Sequence, residues 1–541
     1  MRAIARAAFR RARPGRDAGQ AMILVVGFIL LATLVPMGVY LQAVQQFPLS
    51  RHDQDYQNAL AAAEAGVDDY INRLDQNQNY FQYGAPPLPA PPDGNGAFTG
   101  WVSVQAGPST VASNVSSYRY TPDTSQLAST GVLYLQSTGQ SNGVYRTINV
   151  GLRRKSFLDY LYDTNYETAD PATYADPATA TKYCKYHHYD YNPYTGGYGP
   201  DPNTINDPTY GNFNCTFIYF KTGDVLNGPA HSDDDFYYCG TPSFKGPVDS
   251  ADPKPPRTVP APGLGGCSGS PSFVRPGDPA LGSPVTIPNN LSALQSAATI
   301  GQAGAGCTYT GPTDIALNSN GTMTVNSPNT KLTNSGCGPG SNLSLPPNGV
   351  IWVQPVPANP SDPNYSATCK PNGVTVLQSW GTDTHTNCTG DATVHGTLSG
   401  QLTIASANDT VVTGNVVYKG GFSGTDVLGL AATNYVEINN PNPGGGPTNV
   451  VVDAAILASN HSFIVMNYAA CRYLGTLNLT GALGQPFRGP VGTFGGGCGN
   501  TGYTKNYVYD NRLHYLSPPL LLSIFQTAWE KVSFAELPAK Y

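Results

Sequence analysis

The chain has 541 residues, of which only 12% are charged; its formal net charge is −6, and it holds 60 Gly, 47 Pro and 34 Tyr. With no basic excess to neutralise a phosphate backbone, nucleic acid is excluded as a partner. A usual domain carries about a quarter charged residues, so this composition suits strands and turns on an exported protein.

In chain order, six arginines (Arg2, Arg6, Arg10, Arg11, Arg13 and Arg16) precede 33 uncharged residues, Ala18 to Ser50. Ala21 to Val44 exceeds the roughly 7–15-residue apolar core of a cleaved signal peptide and is long enough for about 30 Å of hydrocarbon. The expectation is an uncleaved, single-pass transmembrane helix, with its N-terminus held in the cytoplasm by the arginines and the bulk outside. Beyond it, Tyr56, Leu60, Ala63, Val67, Ile71 and Leu74 recur at steps of three and four as one apolar stripe. Asp69 is placed to pair with Arg73 one turn on. Apart from a weak point at Pro48, residues 20–80 read as one transmembrane and amphipathic helix.

Arg16-Asp17-Ala18-Gly19, then Gln20-Ala21-Met22-Ile23-Leu24, an apolar run holding Pro36, and Ala61-Ala62-Ala63-Glu64-Ala65-Gly66-Val67 together resemble the N-terminus of type IV pilin-like proteins, most of all PilX-like minor pilins. Over residues 16–75 the resemblance implies a basic leader, 1–19, cut by prepilin peptidase after Gly19. Gln20 would be the first mature residue, and the helix would pack with those of other pilins or pseudopilins. Major pilins carry Glu five residues into the mature chain, where this sequence has Leu24. PilX-like and some tip pseudopilins also lack that Glu, which points away from a self-repeating subunit.

After a Pro- and Gly-rich connection at Gln82 to Ala97, four alternating segments follow: Trp101 to Gln105, Ser117 to Thr121, Val132 to Ser137 and Tyr145 to Leu152. The last two flank a good hairpin turn, Thr138-Gly139-Gln140-Ser141-Asn142-Gly143. Residues 81–154 are thus expected to form a small antiparallel, pilin-like sheet. Residues 155–345 read as a loop-rich, Cys-containing extracellular region with little regular structure beyond a helix at Leu291 to Ala298. Residues 346–541 read as strand and turn. Val394-His-Gly-Thr-Leu398 is echoed 18 residues on by Val412-Thr-Gly-Asn-Val416, which suits the coil of a β-solenoid, and Val450 to Leu457 lacks alternation, as a strand buried on both faces would. A β-solenoid is favoured over a β-sandwich. Asp426-Val-Leu-Gly-Leu430, Arg488-Gly-Pro-Val-Gly-Thr493 and Tyr509-Asp510-Asn511-Arg512-Leu513 resemble C-terminal domains of large PilX-like proteins. The fold class expected is α+β.

All ten cysteines (Cys184, Cys215, Cys239, Cys267, Cys307, Cys337, Cys369, Cys388, Cys471 and Cys498) lie on the expected outer side, which suggests disulfides. Sequential pairing closes loops of similar size, but sequence alone does not fix connectivity. Cys184-Lys185-Tyr186-His187-His188, with His231 and Cys239, offers zinc-ligand residue types without the paired C-x-x-C spacing. Asp233-Asp234-Asp235 lacks the Gly and final Glu of a calcium loop and reads as a solvated acidic turn. No metal or cofactor is expected.

Asp426, Asp453, Asp510 and Arg512 are the residues a solenoid glycosidase or lyase would need, but nothing in their spacing places two at a working distance, so structural roles are expected. Gly492 to Gly499 lacks the ending of a phosphate loop, and no nucleophile elbow or zinc-protease motif occurs. The expected function is a non-enzymatic minor pilin-like subunit of a type IV pilus or secretion pseudopilus, at the tip in assembly or adhesion. Its partners would be other pilins, prepilin peptidase, the membrane and a surface or glycan ligand. The alternatives are a membrane-anchored β-solenoid carbohydrate-active enzyme and a stand-alone surface adhesin.

Overall fold

The computed structural model describes residues 18–539 apart from 78–79, 87, 105–115, 128–131, 155, 201–204, 208–210, 262–266, 370–374, 379–380, 442–444, 496, 515 and 525–528. The leader arginines, Gln105, the surroundings of Gly19 and the side chain of Gln20 lie outside the described residues.

Helix α1, Ala18–Gln76, runs on through Pro36 and Pro48, although neither proline has an N–H to give the helix. Its C-terminal half packs on an antiparallel sheet of β1 (Val102–Ser103), β2 (Ser117–Asp123), β3 (Leu133–Ser141) and β4 (Val144–Arg154). The Ala-rich stretch explains the contact. Ala59, Ala62, Ala63, Val67, Tyr70 and Leu74 are buried, and Ser137 Oγ reaches the Ala63 carbonyl at 2.7 Å. A Cβ at Gly139 would collide with the backbone of Ala59 and Ala63, so small residues on both sides set this distance. The buried face is rotated from the expected stripe: Tyr70 replaces Tyr56, which is exposed and stacks under Arg146 at 3.9 Å. Arg73 bonds Asp69 at 2.9 Å, and Asp69 also accepts from the Tyr120 hydroxyl at 2.8 Å.

This sheet is closed by the far end of the chain. Strand Trp529–Leu537 pairs antiparallel with β4, Trp529 against Arg154 and Leu537 against Thr147. Everything between is therefore an insertion in the helix-and-sheet unit.

The insertion is a solenoid of stacked parallel strands. Val394 does lie beside Val412, but other coils are longer, with Thr403 beside Gly429 and Gly429 beside Ala455. The stacking order also departs from chain order. Strand Tyr162–Tyr166 lies between Gly484–Phe487 on one side and Ala230–Ser232 on the other. One arm grows outward from it through Val248–Ser250 to Ala280–Leu281. The chain then restarts at Cys307–Thr310 at the opposite end and coils back through strands at 350, 401, 427 and 451 to meet it. Residues 155–345 thus hold coils of the same stack as 346–541. Those coils run on strands of two to six residues, mostly too short for a periodic sequence signal.

The fold is mainly β, which corrects the α+β expectation. Among the described residues no helix is long and apolar enough to cross a membrane; that finding also overturns the single-pass membrane localisation.

Candidate functional site

The ten cysteines form five disulfides: Cys184–Cys215, Cys239–Cys267, Cys307–Cys337, Cys369–Cys388 and Cys471–Cys498. Such bonds persist in oxidising compartments. They take Cys184 and Cys239 out of the zinc-type set, while the histidines of that set meet carboxylates instead.

Strands Tyr162–Tyr166, Ala230–Ser232 and Val248–Ser250 stack in register, which sets Asp163, His231 and Asp249 side by side. His231 is fully buried; its Nδ1 lies 2.6 Å from Asp249 Oδ1 and its Nε2 3.0 Å from Asp233 Oδ1. Two carboxylate partners require both ring nitrogens to carry protons, hence an imidazolium. Burial works against that charge, but the hydrogen bonds to Asp233 and Asp249 override it and hold the ring's pKa up to about 10.

The turns after these strands stack in the same way. Asp233, Asp234 and Asp235 are buried rather than solvated, because the neighbouring coils cover them on both sides. Asp234 Oδ1 accepts from the His188 and Asp235 amides, both at 2.8 Å, and burial pushes its carboxyl up to about 8. Beside it His188 Nδ1 lies 2.7 Å from Asp235 Oδ2 and 3.9 Å from Asp252 Oδ2. Burial, and then the neighbouring Asp252 carboxylate, raise the Asp235 pKa. His188 is about half exposed, while Asp235 and Asp252 are buried, so the group opens to solvent on the imidazole side.

A second group lies among the returning coils. His385 Nε2 is 3.2 Å from Glu437 Oε2, and its Nδ1 is 3.3 Å from Asp391 Oδ2 and 3.9 Å from Asp409 Oδ2. Farther along, Asp170 Oδ2 accepts from the Tyr435 hydroxyl at 3.2 Å and from His461 Nδ1 at 2.6 Å.

Asp426, Asp453, Asp510 and Arg512 serve the backbone and each other. Asp426 accepts from the Gly400 and Gly420 amides, each at 2.7 Å, and Asp453 from the Tyr418 amide at 3.2 Å. Asp510 and Arg512 form a two-point pair at 3.0 and 2.7 Å, with the guanidinium over the Tyr418 ring. These are turn-capping and pairing contacts.

Sequence reasoning missed Asp249, Asp252, Asp391 and Asp409. A signal was available: Asp249 and Asp252 follow His231 and Asp234, and Asp409 follows Asp391, at the 18-residue spacing already visible between Val394 and Val412.

No protein-family model matches the sequence, and no curated protein matches it. Among solved structures, the competence-associated pilin ComZ from Thermus thermophilus is similar at 14% identity and a TM-score of 0.24, over 89% of this chain and 97% of that one. A likeness of that strength carries no argument about what this chain does.

Proposed function

We propose that the chain is a minor pilin-like structural subunit of a type IV pilus or related secretion pseudopilus, of the PilX-like kind, working by assembly and placed at the tip. The observation that carries this reading is the division of α1 into two halves. Ala59 to Leu74 is buried under the sheet, whereas Met22, Ile23, Leu24, Phe28, Leu31, Leu34 and Met37 are each more than half exposed. A contiguous apolar surface of this kind marks an interaction site, and helices of other pilin subunits are the occupant that the motif at residues 16–24 suggests. The solenoid, inserted in the helix-and-sheet unit, would obstruct further subunits stacking above it, which suits a terminal position.

Leu31→Asp should abolish recovery of the chain in sheared filaments without lowering the melting temperature, because residue 31 lies far from the packed half of α1. The chain recovered from filaments should begin at Gln20 by mass spectrometry. Filament recovery of Leu31→Asp equal to wild type would sink the reading.

A further inference from the structure

We propose that His188, Asp235 and Asp252 form a site for one divalent transition cation, Zn²⁺ or Mn²⁺, at the corner where the outward arm of the solenoid turns. Their ligand atoms all lie within 4.8 Å of one another. Around a tetrahedral ion with bonds of about 2.0–2.1 Å, ligand atoms stand about 3.3 Å apart. The present separations of His188 Nδ1 from the two carboxylates, 2.7 and 3.9 Å, bracket that value.

An independent observation points to a ligand here. Asp235 Oδ1 is buried and, among the described residues, meets no N–H or fixed O–H donor; the Asp252 carboxyl beside it can meet it only by carrying a proton, and the other donors are committed. The His188 and Asp235 amides go to Asp234, the Lys254 amide goes to Asp252 Oδ1 at 2.7 Å, and the Ser250 hydroxyl goes to the Asp234 carbonyl at 2.8 Å. Two buried carboxylates face one another with only the half-exposed His188 ring to balance their charge, and a divalent ion held by all three would balance both. The second histidine group differs in this respect: both oxygens of Asp391 and of Asp409 already accept from Asn408, Thr389 or backbone amides.

The donor set fixes the class of ion. An imidazole nitrogen with carboxylate oxygens suits zinc or manganese, whereas calcium takes six to eight oxygens. Three protein ligands with the imidazole side open to solvent leave a coordination position for water or an exogenous group.

The test is calorimetric titration of the oxidised, chelator-treated full chain with Zn²⁺, in wild type and in the variants Asp235→Asn, Asp252→Asn and His188→Gln. Wild type should bind one equivalent more than Asp235→Asn or Asp252→Asn, and His188→Gln should weaken that equivalent at least tenfold. Position 188 is half exposed, so His188→Gln will fold even where a buried Asn variant does not. Equal binding by wild type and His188→Gln would overturn the site, as would displacement of the bound Zn²⁺ by equimolar Ca²⁺.

Discussion

One ladder of paired residues crosses both ends of the solenoid and changes character on the way. At one end it runs Trp352, Ala405, Ala431, Leu457; at the other it continues Gly484, Asp163, His231, Asp249, Ala280. The neighbouring ladder of Ile351, Ile404, Leu430, Ile456 and Leu483 is aliphatic throughout. The returning coils are thus held by repeated burial of methyl groups, each contributing a modest share. The outward arm has short strands and few aliphatic residues, and its interior is filled by Phe220, Phe236 and Phe244 with buried ion pairs. Removing one partner of such a pair strands a charge, so single changes should hurt the outward arm more than the returning coils.

The largest expected effect is at Glu167. Its carboxylate lies 2.8 Å from Arg488 Nη1, both side chains are almost fully buried, and the guanidinium sits 3.5 Å over the Phe220 ring. Glu167→Gln leaves that cation without its counter-charge and should cost about 3–5 kcal/mol. Denaturant unfolding would read it directly, and a loss below 1 kcal/mol would break the contrast between the two ends.

Next comes His231→Gln. A raised imidazole pKa means the native state holds the proton more tightly, so the stability it contributes is complete below about pH 6.5 and is lost as pH rises through about 10. The variant should lose on the order of 3 kcal/mol at pH 6, and the difference from wild type should shrink steadily by pH 10. A pH-independent difference would mean that packing, not charge, holds this position. In the aliphatic ladder, Ile456→Val should cost only about 0.5–1.5 kcal/mol, with no dependence on pH.

How much of this was legible follows the same division. The β3–β4 hairpin announces itself because Asn142 and Gly143 take positive φ values of 47° and 82°, which that residue pair adopts readily. The Val394 and Val412 echo gives true neighbours, yet it gives no general period, because the coils differ in length on both sides of it, with Val350 beside Thr403 and Thr403 beside Gly429. The outward arm is opaque, since strands of two or three residues after Tyr162–Tyr166 carry no alternation, and its first strand stacks on Gly484–Phe487, more than 300 residues further along the chain. Nothing local reveals that Asp233 to Asp235 are covered by coils from 162 and 248, or that Trp529–Leu537 returns to β4. The apolar N-terminal segment was read as a membrane span from its composition, and the described helix does not meet that requirement.

One further effect, comparable in size to Ile456→Val, has the opposite sign and tests the boundary between the two ends. Asp453 lies on the aliphatic strand Val451–Ala458, among the described residues no cation is bonded to it, and burial raises its carboxyl pKa from 3.8 to about 6. The native state therefore binds its proton more tightly than the unfolded chain. The associated stability is complete below about pH 4 and is lost as pH rises through 6. Asn presents a carbonyl oxygen in the same place for the Tyr418 amide but never ionises. Asp453→Asn should thus be neutral at pH 4 and more stable than wild type by on the order of 1–2 kcal/mol at pH 8. Asp510→Asn, which strands Arg512, should destabilise at pH 8. If Asp453→Asn destabilised at pH 8 as well, Asp453 would belong with the paired carboxylates around Tyr418, and the strand Val451–Ala458 would share the charge dependence of the ion pairs.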